Sequence, residues 1–338
     1  MKTTTFGVDL AKRVFQVHWV DMDTGEINRR QLKREQLVAF FAKQAPALIA
    51  MEACGSAHYW ARRFASFGHQ VRLIAPSFVR PFVKRNKTDV ADAQAIWEAA
   101  QRPEMRFVAV KSEAQQAVLT LHRVRQQLIK MRRMQINQTH GLLYEFGAAV
   151  HRGSHSMNDA ARMLGELADT LPAMVIDTLR QQLQRIDALT RDIRAIEHRL
   201  AAWLRHDEAA TRLAAIPGVG LLTATAAIAT IGDAGTFRSG REFAAFLGLV
   251  PRQSGTGGRV KLLGISKRGD VYLRTLLIHG ARSVLSHSKQ LSDALQRLLA
   301  RRPFNVVVVA LANKMARTIW ALLAHARTYQ PGYAANAA

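Results

Sequence analysis

The stretch Thr4-Thr5-Phe6-Gly7-Val8-Asp9-Leu10-Ala11-Lys12-Arg13-Val14-Phe15-Gln16-Val17-His18-Trp19-Val20 decides the fold of this chain. It reads as one strand, a short turn at Lys12-Arg13 and a second strand over Val14 to Val20. Asp21 to Gly25 forms a turn, and Glu26 to Lys33 supplies a third strand. Helical spacing through Leu37, Phe40 and Phe41 marks Arg34 to Gln44. The apolar run Leu48-Ile49-Ala50-Met51 is a buried strand ending at Glu52. A helix over 57–67, a strand over Gln70 to Ile74, a basic loop from Pro76 to Lys87 and a helix from Thr88 to about Gln101 follow. Three strands, helix, strand, helix, strand, helix is the order of an RNase H-like α/β domain.

That order gives four acids a common address. Asp9 falls in the middle or at the end of the first strand, and Glu52 ends a later one. Asp89 and Asp92, three apart at a helix start, point from one face. The first and fourth strands of an RNase H-like sheet are neighbours, so the four carboxylates are expected at one end of it. Carboxylates that close repel, and a hard divalent cation relieves the repulsion. Mg²⁺, with Mn²⁺ as the alternative, is the expected cofactor, suited to phosphoryl transfer. Singly, Asp92 could stabilise a helix N-terminus, Glu52 could pair with an arginine, and Asp9 could be the phosphate-loop acid of a sugar-kinase or actin-like ATPase. No second Gly-rich phosphate loop accompanies it.

The whole chain is basic: 48 Lys+Arg against 25 Asp+Glu in 338 residues give a net charge of +23. Such a charge points to a polyanion, because neutralising phosphates releases counterions. One cysteine, Cys54, rules out a disulfide within the chain and a Cys-based zinc site, and fits a reducing cytoplasm. The N-terminus lacks the apolar stretch of a signal peptide. Val306 to Ala312 runs on into Asn313, Lys314 and Arg317, too short and charged to span a bilayer, so it reads as part of a buried helix and no membrane partner is expected.

Beyond the first 105 residues the chain turns helical. A helix over 112–146 carries Leu121, Leu128 and Leu142 beside the basic run Arg123, Arg125, Lys130, Arg132 and Arg133. Gly147 to Asn158 is a polar stretch. Leu179, Ile186, Ile193 and Leu200 then repeat every seven residues beside Leu189, Ile196 and Trp203, the pattern of a coiled coil. The resulting division is 1–105, a helical connector over 106–207, and a mainly α-helical domain over 208–330. In the last, Ile216-Pro217-Gly218-Val219-Gly220 opens a helix over Leu221 to Thr230, in the manner of a helix-hairpin-helix element that offers Gly218 and Gly220 amides to a phosphate. Phe237 to Leu249 looks helical, Val250 to Gly269 is a loop rich in glycine and basic residues, and 270–325 is helical again. Lys12, Arg85, Lys87, Arg252, Lys267 and Arg268 join the helical cations as candidate nucleic-acid contacts.

Three N-terminal motifs, Gly7-Val8-Asp9-Leu10-Ala11-Lys12, Met51-Glu52-Ala53-Cys54-Gly55 and Asn86-Lys87-Thr88-Asp89-Val90-Ala91-Asp92-Ala93, resemble the DEDD transposases of bacterial insertion sequences, the family numbered 110 and its 1111 branch. Ile216 to Gly220, Phe243 to Pro251 and Gly264 to Asp270 resemble that family's second domain, in the right order. The resemblance implies a RuvC-like N-terminal domain with Asp9, Glu52, Asp89 and Asp92 on metal-binding positions. It further implies a coiled-coil connector and a C-terminal transposase domain with a nucleophilic serine after the Leu-x-Pro turn. Ser254 in Pro251-Arg252-Gln253-Ser254-Gly255-Thr256-Gly257-Gly258 is the residue of choice, with Thr256 and Ser266 as fallbacks. A structured non-coding guide RNA, DNA of the element ends and target, assembly as homodimer or homotetramer, and action at the bacterial nucleoid are implied in the same way. The rival readings are a RuvC-like junction nuclease that uses water, and a non-enzymatic basic scaffold.

Overall fold

The computed structural model describes residues 3–83, 88–150, 153 and 156–330. Contacts gather into two compact units: residues up to Gln116 together with Ile231–Arg238, and Ala117–Thr230 together with the chain from Ser239 onward.

The first unit is built on one sheet of β1 (Thr5–Asp9), β2 (Val14–Val20), β3 (Ile27–Lys33), β4 (Leu48–Glu52), β5 (Gln70–Ile74) and β6 (Phe107–Val108). The strand order is β3-β2-β1-β4-β5-β6. The hairpin β1–β2–β3 is antiparallel, β1, β4 and β5 run parallel, and β6 closes the far edge antiparallel. Alternation along the strands divides the apolar residues between two faces. Phe6, Val8, Phe15, Val17, Ile49 and Met51 pack with Leu37 and Phe41 of α1 (Arg34–Ala42) and Trp60 and Phe64 of α2 (Ala57–Ala65). On the other face Ala50 and Ile74 pack with Ala95, Ile96 and Ala99 of α4 (Asp89–Ala100).

The expected sequence of strands and helices is the observed one, with two refinements. Part of the basic loop after β5 is wound into the short α3 (Pro76–Val79) and a 3-10 turn over Arg80–Phe82, and the two-residue β6 had no signal of its own.

The second unit is helical around one hairpin. α5 (Glu113–Glu145) and α7 (Ala173–His206) lie antiparallel: Arg125 pairs with Glu197 at 2.7 Å and Arg132 donates to Thr190 at 3.4 Å, so seven residues forward on one helix are seven back on the other. The heptad row Leu179, Ile186, Ile193 and Leu200 is buried within this chain. At one end it meets Leu143 and the α6 (Ser156–Glu166) residues Ala160 and Leu164, and at the other Val118 and Ala229. α6 begins inside the stretch expected to be polar loop. α8 (Glu208–Ala214), α9 (Leu221–Ile231), α10 (Gly240–Phe246), α11 (Val271–His287), α12 (Asp293–Leu299) and α13 (Phe304–Ala324) complete the unit. Only Gly240–Phe246 of the expected 237–249 helix is α-helical. α13 is long and apolar enough to cross a membrane by length and composition, but Val307, Val308, Ala312, Met315, Ala316, Ile319 and Leu322 form a buried stripe, as expected of a core helix.

The clearest correction concerns Val250 to Gly269. Where a loop was expected stands an antiparallel hairpin of β7 (Pro251–Thr256) and β8 (Arg259–Ile265). Gly257 (φ 56°) and Gly258 (φ 79°) form its two-residue turn, in which both positions need positive φ. Residues 251–264 are exposed throughout, so the alternating burial that betrays a strand is missing.

Candidate active site

Helix α4 is seated on β1 by the absence of a side chain. A Cβ on Gly7 would collide with the carbonyl oxygen of Ala93 and stand 2.7 Å from the Cβ of Trp97. The indole Nε1 of Trp97 donates to the Thr5 carbonyl at 3.0 Å. Gly7 therefore lies under the Ala93–Trp97 turn while the indole extends toward the start of β1, so α4 runs antiparallel to the strand with its first turn toward the strand's C-terminal end. From Gly7 to Asp9 the strand advances about 6.6 Å. From Ala93 back to Asp89 the helix covers about 6 Å.

Side-chain direction completes the placement. Gly7 faces α4, and so does Asp9 two residues on. Ala50 packs against α4, and so Glu52 shares that face. The register Val8↔Met51 sets Asp9 and Glu52 side by side at the ends of neighbouring parallel strands. Asp89 and Asp92 occupy the first turn of α4, where the Thr88 hydroxyl caps the helix by accepting from the Ala91 amide at 3.2 Å. Asp9, Glu52 and Asp92 are half-buried and Asp89 is exposed. Among the described residues no three His, Cys, Asp or Glu side chains stand close enough to hold a metal ion. Asp9 and Glu52 thus share one sheet end and one face, and the helix turn carrying Asp89 and Asp92 lies toward that end, without a closed cage. As a donor set of oxygens only, they suit a hard divalent cation.

Lys12 is exposed in the turn beyond Asp9, and Arg85 and Lys87 lie outside the described residues. Behind the site, His18 pairs with Gly7 and is buried, its ring 5.6 Å from that of Trp97. Burial first, and the Arg29 guanidinium second, hold its pKa below the usual histidine value against the opposing pull of Glu98.

In the second unit Ser254 is an exposed residue of β7 and Thr256 lies two further on the same face. Ser266 sits at the hairpin base, its amide donating to the Val250 carbonyl at 2.8 Å. That base is clamped. A side chain on Gly248 (φ 70°) would strike the Arg268 backbone, and one on Gly269 (φ 76°) would strike the Phe246 carbonyl. The buried Arg274 guanidinium donates to the Leu247 and Arg268 carbonyls at 2.7 and 2.9 Å, and Asn313 donates to the Leu249 carbonyl at 3.1 Å. Sequence reading missed Arg274 because a buried arginine answering backbone carbonyls has no pattern of its own.

The expected nucleic-acid contacts divide. Arg123, Lys130, Arg133, Arg252, Lys267 and Arg268 are exposed cations. Arg125 and Arg132 turn inward to Glu197 and Thr190, so they hold α5 to α7 instead of facing solvent. Gly218 also has a packing reason for its missing side chain: a Cβ there would meet the Gly280 carbonyl at 2.8 Å, and one on Gly280 would strike the Gly218 carbonyl. A Cβ on Gly220 would meet open space.

Comparison with known proteins covers both units. A DEDD transposase model of the IS110 type matches residues 6–147, and a model described as the IS116/IS110/IS902 transposase family matches residues 210–296. A probable family 20 transposase of Pseudomonas aeruginosa is 51% identical over 98% of this chain and 100% of its own length. The transposase for insertion sequence element IS1328 of Yersinia enterocolitica is 43% identical over 94% of this chain and 96% of its own. The transposase for IS1111A of Coxiella burnetii is 43% identical over 96% and 91%. The chain belongs to the IS116/IS110/IS902 family of transposases.

Proposed function

We propose that this transposase breaks and rejoins DNA strands in two chemical halves: a divalent-cation site on an RNase H-like, RuvC-like sheet and a serine nucleophile on the β7–β8 hairpin. One observation carries the reading. The packing of α4 on Gly7 supports it, because the first turn of that helix, with Asp89 and Asp92, then lies toward the sheet end where Asp9 and Glu52 share a face. Carboxylate oxygens gathered at one end of a sheet are the donor type a hard divalent cation takes. Asp9, Glu52, Asp89 and Asp92 would hold Mg²⁺, or Mn²⁺ in its place. Such a cation supplies charge neutralisation and polarisation of a phosphodiester.

The protein's own step is taken by Ser254. Its Oγ bonds to phosphorus as the bond from phosphorus to one sugar oxygen breaks; the hydroxyl proton is lost and the departing sugar oxygen gains one. The number of phosphate ester bonds is unchanged, so attack by a new sugar hydroxyl reverses the step and reseals the strand without ATP. Asp9 belongs to the first unit and Ser254 to the second, so the reaction needs both, and the chain acts as a homodimer or homotetramer. A structured non-coding RNA reads the donor and target DNA by base pairing, while exposed cations such as Arg123, Lys130, Arg133 and Lys267 grip backbones. The work is done at the nucleoid, in the cytoplasm.

The test incubates the full chain with Mg²⁺, DNA duplexes from the flanks of its gene and RNA transcribed from those flanks. A protein–DNA adduct through serine is expected in wild type and lost in Ser254→Ala and Asp9→Asn. Cuts with free ends and no adduct would replace this reading with hydrolysis by water. An adduct that survives Ser254→Ala but not Thr256→Ala or Ser266→Ala moves the nucleophile along the same hairpin.

A further inference from the structure

The register of the β7–β8 hairpin sorts its exposed side chains into two unlike faces. Ser254 stands directly across from Lys261 and Thr256 across from Arg259. Opposed residues in an antiparallel pair share a face, and successive residues alternate. Over the regularly paired residues 253–256 and 259–262, one face therefore carries two hydroxyls and two cations, Ser254, Thr256, Arg259 and Lys261. The other carries Gln253, Gly255, Val260 and Leu262, and Val260 and Leu262 are 65% and 63% exposed. Positive charge lies on the first of these faces and not among the four residues of the second.

Gly255 tightens this arrangement. A side chain there would collide with the Arg259 carbonyl, so the strand between the two hydroxyls is pressed against the strand that bears the cations. The Gly257–Gly258 turn fixes the register from the tip, and a one-residue slip would send Lys261 to the apolar face. Directly opposed Cβ atoms lie about 5 Å apart. A lysine ammonium on its four-carbon stem is long enough to cover that span, so a phosphate held at the serine hydroxyl would be within its range.

We propose that Lys261 is a catalytic residue of the strand-transfer reaction, binding a non-bridging oxygen of the phosphodiester that Ser254 attacks, with Arg259 gripping the adjoining backbone phosphate. This deepens the serine reading above and rests on it. When Oγ approaches phosphorus, negative charge builds on the non-bridging oxygens, and a cation already fixed across the strand pair stabilises that charge without reorganising. No further reactant is needed, since Lys261 neither gains nor loses a bond.

The experiment measures the rate of serine–DNA adduct formation by the full chain, with the flanking DNA and RNA and Mg²⁺ described above. Lys261→Ala should lower that rate by about 100-fold, the usual effect of removing one donor from a developing oxyanion. Lys261→Arg should recover most of it, and DNA binding by fluorescence anisotropy should change by no more than about threefold, since one phosphate contact among many is lost. A purely structural role would not discriminate between phosphate oxygens. Sulfur placed at one non-bridging oxygen, as the Rp or the Sp isomer, should therefore slow wild type much more than Lys261→Ala for one isomer only. A Lys261→Ala chain that forms the Ser254 adduct at the wild-type rate, or that keeps the full isomer preference, overturns the assignment of Lys261 while the serine reading stands. No adduct in wild type overturns both.

Discussion

Gly7→Ala puts the placement of the acids to the test without touching any of them. Gly7 has ordinary strand geometry, so an alanine is free of backbone strain and differs only by one methyl. That methyl meets the Ala93 carbonyl and the Trp97 Cβ, where contact normally begins near 3.4 Å. Ala93 presents backbone, which cannot rotate aside, so α4 has to back off by about 1 Å. Overpacking of this kind costs about 1–3 kcal/mol. Restriction of the unfolded chain by alanine returns about 0.4–1 kcal/mol, so a net loss of about 1–2 kcal/mol is expected. The functional loss should be larger, because a shift of about 1 Å in catalytic groups costs on the order of 100-fold in rate. Urea unfolding by circular dichroism gives the first number, and Mg²⁺-dependent cleavage in folded protein gives the second. Trp97→Phe should fail to rescue, since the Ala93 carbonyl remains. A Gly7→Ala chain with wild-type urea midpoint and wild-type cleavage would show that α4 is not seated on Gly7, and the shared address of the four acids would fall with it.

Other consequences are as direct. His122 is buried, bonded to Thr225 at 3.0 Å and Tyr272 at 2.9 Å, and burial followed by the Arg125 charge lowers its pKa to about 4. The folded protein therefore resists protonating it, so its stabilising effect is complete above pH 6.5 and is lost as pH falls toward 4. The loss should reach about 2 kcal/mol by pH 5, and His122→Gln should flatten that part of the urea-midpoint profile; identical profiles refute it. Arg274→Met strands two buried carbonyls and should cost roughly 2–4 kcal/mol in the same assay. Arg123→Ala should leave stability within about 0.5 kcal/mol while reducing the slope of log DNA affinity against log salt by about 1. Arg125→Ala, which breaks the pairing with Glu197, should do the opposite: a loss of about 1–2 kcal/mol with the slope unchanged. Equal salt slopes for Arg123→Ala and wild type would remove α5 from the nucleic-acid surface.

The first unit was legible because its strands are half-buried and its helices amphipathic, so period and burial agree. Phe6, Val8, Ile49 and Met51 announce an apolar face, and Asp9 and Glu52 break the pattern where the strands end. What the pattern could not supply was the third dimension of the site. The role of Gly7 as a seat, and the Trp97 bond to Thr5 that sets the direction of α4 along β1, arise from contacts between residues about ninety positions apart in the chain. The basic run on α5 was legible as charge but not as direction: the residues that face α7 are the ones across from Glu197 and Thr190, and only helix pairing reveals them.

The hairpin was misread for a reason that bears on function. Strands are recognised by alternating burial, and this one has none, because neither of its faces is covered within its unit. An isolated two-stranded ribbon is marginal in water. Here it is pinned at its base by Gly248, Gly269, Arg274 and Asn313 and at its tip by two glycines in the turn. A segment held in register at both ends but left bare along its length is poorly explained as packing and well explained as a surface for a ligand. The four acids are the reverse case, mounted on a core whose residues are almost fully buried. On the proposed function, metal ligands have to be held fixed, whereas a nucleophile that joins and then releases DNA has to be reached from outside. The contrast between acids at the end of a packed sheet and a hydroxyl raised on a bare ribbon is the one that the proposed breakage and rejoining by a serine would require.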